Sequence, residues 1–140
     1  MQNLVTDLLA TLAYGVVGVL LMGIGYVLVD VATPGRLNQL IWNERNRNAA
    51  VLLASNLVGV GTIVVAAIVA SDHNFTLGLI GAGAYGVLGL LIMAGAFVLL
   101  DAVTPGRLGE ILVDPEPHPA VWVSATVHVA AGAIIAAAIS

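Results

Sequence analysis

The chain has 140 residues, 60% of them hydrophobic and 9% charged, with 16 Gly besides. Soluble domains are roughly 45–50% apolar and 25% charged, and a water-soluble fold of this length cannot hide so much apolar surface. A net charge of −4 with only 4 basic residues, all Arg, leaves no basic patch for nucleic acid, and zero Cys excludes disulfides and thiol chemistry. This is the composition of an integral membrane protein.

Residues 1–7 carry no positive charge, and the apolar run that follows is too long for a signal core, so it reads as a retained span. Four stretches lack Asp, Glu, Lys and Arg: residues 8–29, 49–70, 75–100 and 120–139. Each supplies the roughly 20 residues that cross about 30 Å of hydrocarbon as a helix. Strands of a membrane barrel would be about 10 residues long and alternate in polarity, which these do not. The predicted fold is therefore all-α and membrane-embedded, with four transmembrane helices.

The sequence repeats at an offset of 71. Tyr14-Gly15-Val16 returns as Tyr85-Gly86-Val87, and Thr33-Pro34-Gly35-Arg36-Leu37 as Thr104-Pro105-Gly106-Arg107-Leu108; 14 of the 24 positions from 14 to 37 are identical. The chain thus divides into residues 1–74 and 75–140, each with two spans. An even number of spans per half predicts two parallel hairpin repeats rather than inverted ones. Arg36, Arg45, Arg47 and Arg107 all fall in the two loops that join paired spans, which predicts cytoplasmic loops and both termini outside.

Below the first span, Thr33 reads as a helix cap and Pro34 as a first-turn residue, followed by Gly35 and Arg36. Leu37, Leu40 and Ile41, beside Trp42, predict a short amphipathic helix lying in the interface; Leu108, Ile111 and Leu112 repeat the pattern. The loop tips then diverge. Residues 43–48 read Asn-Glu-Arg-Asn-Arg-Asn, and residues 114–119 read Asp-Pro-Glu-Pro-His-Pro. Their opposite net charges are one way to draw the tips together, while solvated loops are the simpler expectation.

Asp30 and Asp101 each end an uncharged stretch. Carboxylates there sit at the negative end of a helix dipole and near the membrane edge, which is tolerable without being favourable. As a pair they can gather a cation or exchange a proton; alternatively each pairs with Arg36 or Arg107, or takes backbone donors from its own turn. His128 lies about 13 Å into the fourth span at 1.5 Å per residue, with Asn56 at similar depth in the second. A proton-relaying His is one reading, and a neutral His bonded to Asn56 or to a backbone carbonyl is the other. Gly78, Ala82 and Gly86 in the third span, and Gly132 and Ala136 in the fourth, form small-residue faces for helix packing within the bundle or between copies.

Other signals carry nothing. Gly81-x-Gly83-x-x-Gly86 matches a dinucleotide fingerprint but lies inside a span, with no strand before it. His73, His118 and His128 stand at three different depths and cannot form one metal site. No catalytic set or cofactor motif is present, so neither an enzyme nor a cofactor is expected.

The two hairpins, the Asp30-x-x-Thr33-Pro34 and Asp101-x-x-Thr104-Pro105 motifs, and Asn48-Ala49-Ala50 opening the second span resemble the bacterial inner-membrane family called domain of unknown function 350. The likeness covers nearly the whole chain. At the offset, Pro119-Ala120-Val121 stands in place of Asn48-Ala49-Ala50, so any role of that Asn exists once. The resemblance implies a bacterial plasma membrane and four spans, and brings no activity with it. Two functions follow from the residues. The first is a structural or accessory component that self-associates or joins a larger membrane complex. The second is a small channel or proton or cation pathway that uses Asp30 and Asp101, with His128 as a further candidate.

Overall fold

A computed structural model of the chain describes residues 2–70, 74–103, 106 and 108–139. These fold as α1 (Gln2–Ala32), a π-helical turn (Gln39–Asn43), α2 (Arg47–Val69), α3 (Phe75–Val103), the short α4 (Leu108–Val113) and α5 (Pro119–Ile139). Four helices are long and apolar enough to span a membrane. At 1.5 Å per residue, the 29-residue apolar stretches of α1 and α3 reach about 43 Å, against about 34 Å for α2 and 31 Å for α5. The first pair exceeds a 30 Å hydrocarbon layer and must tilt or project from it.

Helix starts follow from side chains that supply missing acceptors. Asn46 caps α2, its Oδ1 accepting from the Ala49 N–H at 3.0 Å, and Asn74 caps α3 through the N–H groups of Thr76 and Leu77. At α5 the cap is His118, whose Nδ1 accepts from the Ala120 N–H at 3.1 Å, with Pro119 in the first helical position, where a missing N–H does no harm.

The helices extend beyond the uncharged stretches. α1 begins before residue 8 and continues past Asp30, and α3 runs through Asp101, because Asp at a helix end does not break the backbone ladder. What stops α1 is the turn after it, where Gly35 adopts φ +105°. Gly106 takes φ +89° in the second half, and both angles suit glycine alone.

The turn corrects three readings of the sequence. Thr33 does not cap the next helix: its Oγ1 donates back to the Val29 carbonyl at 2.8 Å. Pro34 lies in the bend rather than in a first helical turn, since helical backbone resumes only at Leu37. The first half also has no regular interfacial α-helix. After Leu40 N–H bonds the Arg36 carbonyl, the chain widens to a π turn closed by Glu44 N–H on the Gln39 carbonyl. Leu37 and Leu40 are buried in the bundle end and Trp42 is 75% exposed. Burial of the Leu side chains beneath the spans draws the segment inward, while Asn38, Gln39, Trp42 and Asn43 stay exposed. Thr104, Pro105 and Arg107, with residues 71–73 and 140, lie outside the described residues.

α2 packs most extensively on α5 and also touches α1 and α3; α3 in turn touches α1 and α5. Glycines set the approach. A Cβ on Gly132 would stand 2.5 Å from Gly59 Cα, so α2 and α5 meet backbone to backbone. A Cβ on Gly86 would strike the Leu21 side chain of α1, and one on Gly89 would stand 2.5 Å from Ile63 Cδ1 of α2. Gly78, Ala82, Gly86, Gly132 and Ala136 are all buried inside a single copy. Two apolar clusters fill the interior. One, at the loop end, includes Val29, Leu37, Leu52, Leu108, Leu112 and Val121; the other, nearer the termini, includes Leu21, Val60, Ile63, Leu90 and Met93.

Candidate functional site

Both aspartates do the same local work. Oδ1 of Asp30 accepts from the Leu37 N–H at 2.7 Å, and Oδ1 of Asp101 accepts from the Leu108 N–H at 2.7 Å. Each carboxylate reaches seven residues ahead, across its Thr-Pro-Gly-Arg turn, to an N–H that opens the next segment. A bond to an ionised acceptor is worth about 1.5–3 kcal/mol. This is the backbone-donor alternative among those the sequence left open. It explains why an Asp at the unfavourable end of a helix dipole is tolerated: it answers the opposite dipole of the segment that follows.

The loop tips meet within one chain, and through amides. Asn48 Nδ2 faces the carbonyls of Ile111 (3.2 Å), Asp114 (3.1 Å) and Glu116 (2.8 Å), while its Oδ1 accepts from the His118 N–H at 3.2 Å. Asn46 Nδ2 adds a bond to the Asp114 carbonyl at 3.1 Å. Pro115, Pro117 and Pro119 donate no hydrogen bonds, so this segment offers acceptors that only an outside donor satisfies. Asn46 and Asn48 align with Pro117 and Pro119 at the 71-residue offset. The Asn side chains thus supply the donors to the carbonyls of 111–116, and the His118 N–H returns one bond to Asn48. The sequence marks Asn48 as present once, but its partners, 63–70 residues away, carry no local signal.

His128 and Asn56, each 4% exposed, lie between the two apolar clusters. The Nδ1–H of His128 donates to the Ser124 carbonyl at 2.8 Å, one turn back on α5, which in a neutral imidazole leaves Nε2 as the acceptor. Its ring packs against Phe97 at a centroid distance of 5.8 Å. Asn56 Nδ2 donates to the Gly25 carbonyl of α1 at 3.2 Å. His128 and Asn56 are thus neighbours on one wall without bonding each other. Ser124 Oγ is buried and has no hydrogen-bond partner among the described residues. The wall belongs to a cavity of about 220 Å³ lined otherwise by apolar side chains of α1, α2 and α3. Among the described residues no three of His, Asp and Glu gather as metal ligands.

The spans, the duplicated Asp turn and the Asn48 contact lie in a region that one family model covers almost end to end: the model described as Domain of Unknown Function (DUF350) matches residues 3–139. The chain belongs to the DUF350 family. A UPF0719 transmembrane protein of Mycobacterium bovis is 38% identical over 131 residues, which are 94% of this chain and 86% of that relative, and one of Mycobacterium tuberculosis matches to the same extent. A UPF0719 transmembrane protein of Mycolicibacterium paratuberculosis is 31% identical over 131 residues, 94% of this chain and 87% of its own. No solved structure matches. This DUF350 chain is a multi-pass transmembrane protein whose apolar outer faces contact the lipid bilayer.

Proposed function

We propose that this DUF350 protein is a structural or accessory component of a bacterial plasma membrane, working by association rather than by catalysis or conduction. The observation that carries this reading is the position of the polar layer. Asn56 and His128 have an apolar cluster above them and another below. On α2, Val60, Ile63 and Val64 fill the two turns after Asn56, and Leu52 lies one turn before it. An ion crossing such layers would lose its hydration for no compensating partner, at several kcal/mol. Asp30 and Asp101 each spend one carboxylate oxygen on their own turn, which supports a structural use of the pair.

In this reading the halves are parallel hairpin repeats, the loops face the cytoplasm and both termini lie outside, as the placement of the Arg residues favours. The loop end is then a fixed cap. Exposed Glu44, Arg45 and Arg47 stand beside exposed Asp114 and Glu116, held together by Asn46 and Asn48. A preorganised surface of mixed charge suits a second copy or a larger membrane complex, because little ordering entropy is lost on contact. Cross-linking in native membranes, followed by native mass spectrometry from mild detergent, tests this. Assemblies larger than one chain, weakened by Arg45→Glu with Arg47→Glu, are expected. A monomer under both conditions would reject it.

A further inference from the structure

The cavity beside His128 opens sideways. Leu21 of α1 packs against Gly86 of α3, and Pro34, just past α1, packs against Gly109 of α4, where a Cβ would stand 2.9 Å from Pro34 Cδ. Gly25 also approaches α3, where a Cβ would stand 3.3 Å from Leu90 Cδ2; beyond it Val31 and Ala32 of α1 and Ala94 and Val98 of α3 line the cavity from opposite sides. Val31 and Val98 line the cavity and are 80% and 67% exposed, so they form a rim at the lipid-facing surface. The window thus leads from the bilayer to Asn56 and His128, with Leu28, Leu90 and Phe97 among its apolar walls.

Two acceptors wait at the inner end. His128 Nδ1 is bonded to Ser124, and Asn56 Nδ2 to Gly25, so His128 Nε2 and Asn56 Oδ1 are the groups left over; among the described residues neither has a hydrogen-bond partner. Both side chains are more than nine-tenths buried and both line the cavity. The buried side-chain atom without a partner among the described residues is Ser124 Oγ; an acceptor that faces the cavity stays unbonded until a donor enters, and lipid acyl chains have no donor to give. Water suits a polar, roomy site, whereas these walls are almost wholly apolar.

We propose that this window binds a lipid-soluble phenol, its ring in the cavity, its hydroxyl donating to His128 Nε2 or Asn56 Oδ1, and its apolar tail leaving between Val31 and Val98 into the bilayer. Size selects the ring: cavities of about 150 Å³ accept benzene, and 220 Å³ has room for a substituted ring but not for a two-chain glycerolipid head. Phe97, already against His128, supplies an aromatic wall for it. The site stands apart from the accessory reading, since it needs neither association nor flux.

The test uses 4-decylphenol and its methyl ether, 4-decylanisole, which match in shape and differ in the single O–H. Binding to the whole protein in lipid nanodiscs is measured with each. The phenol should bind about tenfold more tightly than the ether, the ratio that one hydrogen bond to an otherwise unpaired acceptor gives. Ala94→Leu, which fills the cavity and leaves both acceptors intact, should abolish binding of both probes. Of His128→Phe and Asn56→Val, the one that removes the acceptor in use should bring the phenol down to the ether, and a phenol preference that survives in both variants would overturn the proposal. Equal binding of phenol and ether by wild-type protein would overturn the proposal, leaving an acyl tail as the occupant. Binding undiminished in Ala94→Leu would place the probe elsewhere and overturn it as well.

Discussion

Replacing Asn48 by Ala or by Asp separates what its amide does from what its size does. The side chain is 4% exposed and bonds four backbone groups of residues 111–118. An amide has two hydrogens, so the three carbonyls share them, and the His118 N–H gives a third bond. At about 0.5–1.5 kcal/mol each, three bonds total roughly 1.5–4.5 kcal/mol; the partner segment is largely exposed and water replaces part of this, leaving about 2 kcal/mol for Asn48→Ala. Asn48→Asp keeps the shape and the acceptor but turns a carboxylate toward three carbonyl oxygens, so it should cost more than the Ala change despite being the smaller one in volume. Hydrogen exchange in detergent or nanodiscs reads this directly. Both variants should lose protection at the His118 amide and across 111–118, with Asp the worse, while the centre of α5 stays protected. Unchanged protection in Asn48→Asp would refute the reasoning, because the loops would then hold together without the Nδ2 donors.

Further expectations concern the turns and the crossing. Asp30→Ala and Asp101→Ala should each destabilise by about 1.5–3 kcal/mol in reversible unfolding from mixed micelles, and similarly to one another, since each loses the same 2.7 Å bond. Gly35→Ala should cost about 1–2 kcal/mol for its left-handed φ, seen as a lower midpoint in the same titration. Gly132→Ala should break the α2–α5 contact and abolish the folded species on gel filtration, whereas Gly23→Ala, with open space around it, should be neutral or slightly stabilising. Ser124→Ala removes a buried, unpartnered hydroxyl and should raise the unfolding midpoint, by up to about 1 kcal/mol.

The spans were legible because a bilayer imposes one length and one polarity on whatever crosses it; even Asp30 and Asp101, which end the uncharged runs, mark the last turns of α1 and α3. Their bond to a turn N–H was among the local options, since donor and acceptor lie seven residues apart. Thr33 was misread because Gly35, by turning left-handed, moves the next helical start to Leu37 and puts the cap on Asp30 instead. The Asn48 contact was out of reach for another reason: its partners lie 63–70 residues away, and nothing local tells an Asn that a proline-rich segment will present bare carbonyls to it. The same holds for the window at His128. Depth placed His128 and Asn56 together, but the opening depends on where α1 and α3 touch, at Leu21 and Gly86, and where they do not. Small residues announced close packing without saying whether the neighbour was another helix of the same chain; Gly132 and Gly86 meet Gly59 and Leu21 of their own copy.

In the proposed function the protein holds its polar layer closed to both membrane faces and acts through association. Proton and monovalent-cation flux into proteoliposomes, with wild-type protein beside Asp30→Asn with Asp101→Asn, tests it most directly. The predicted result is flux no greater than in protein-free vesicles for either form. Flux in the wild type that the double variant abolishes would contradict the claim and put the two carboxylates on a pathway.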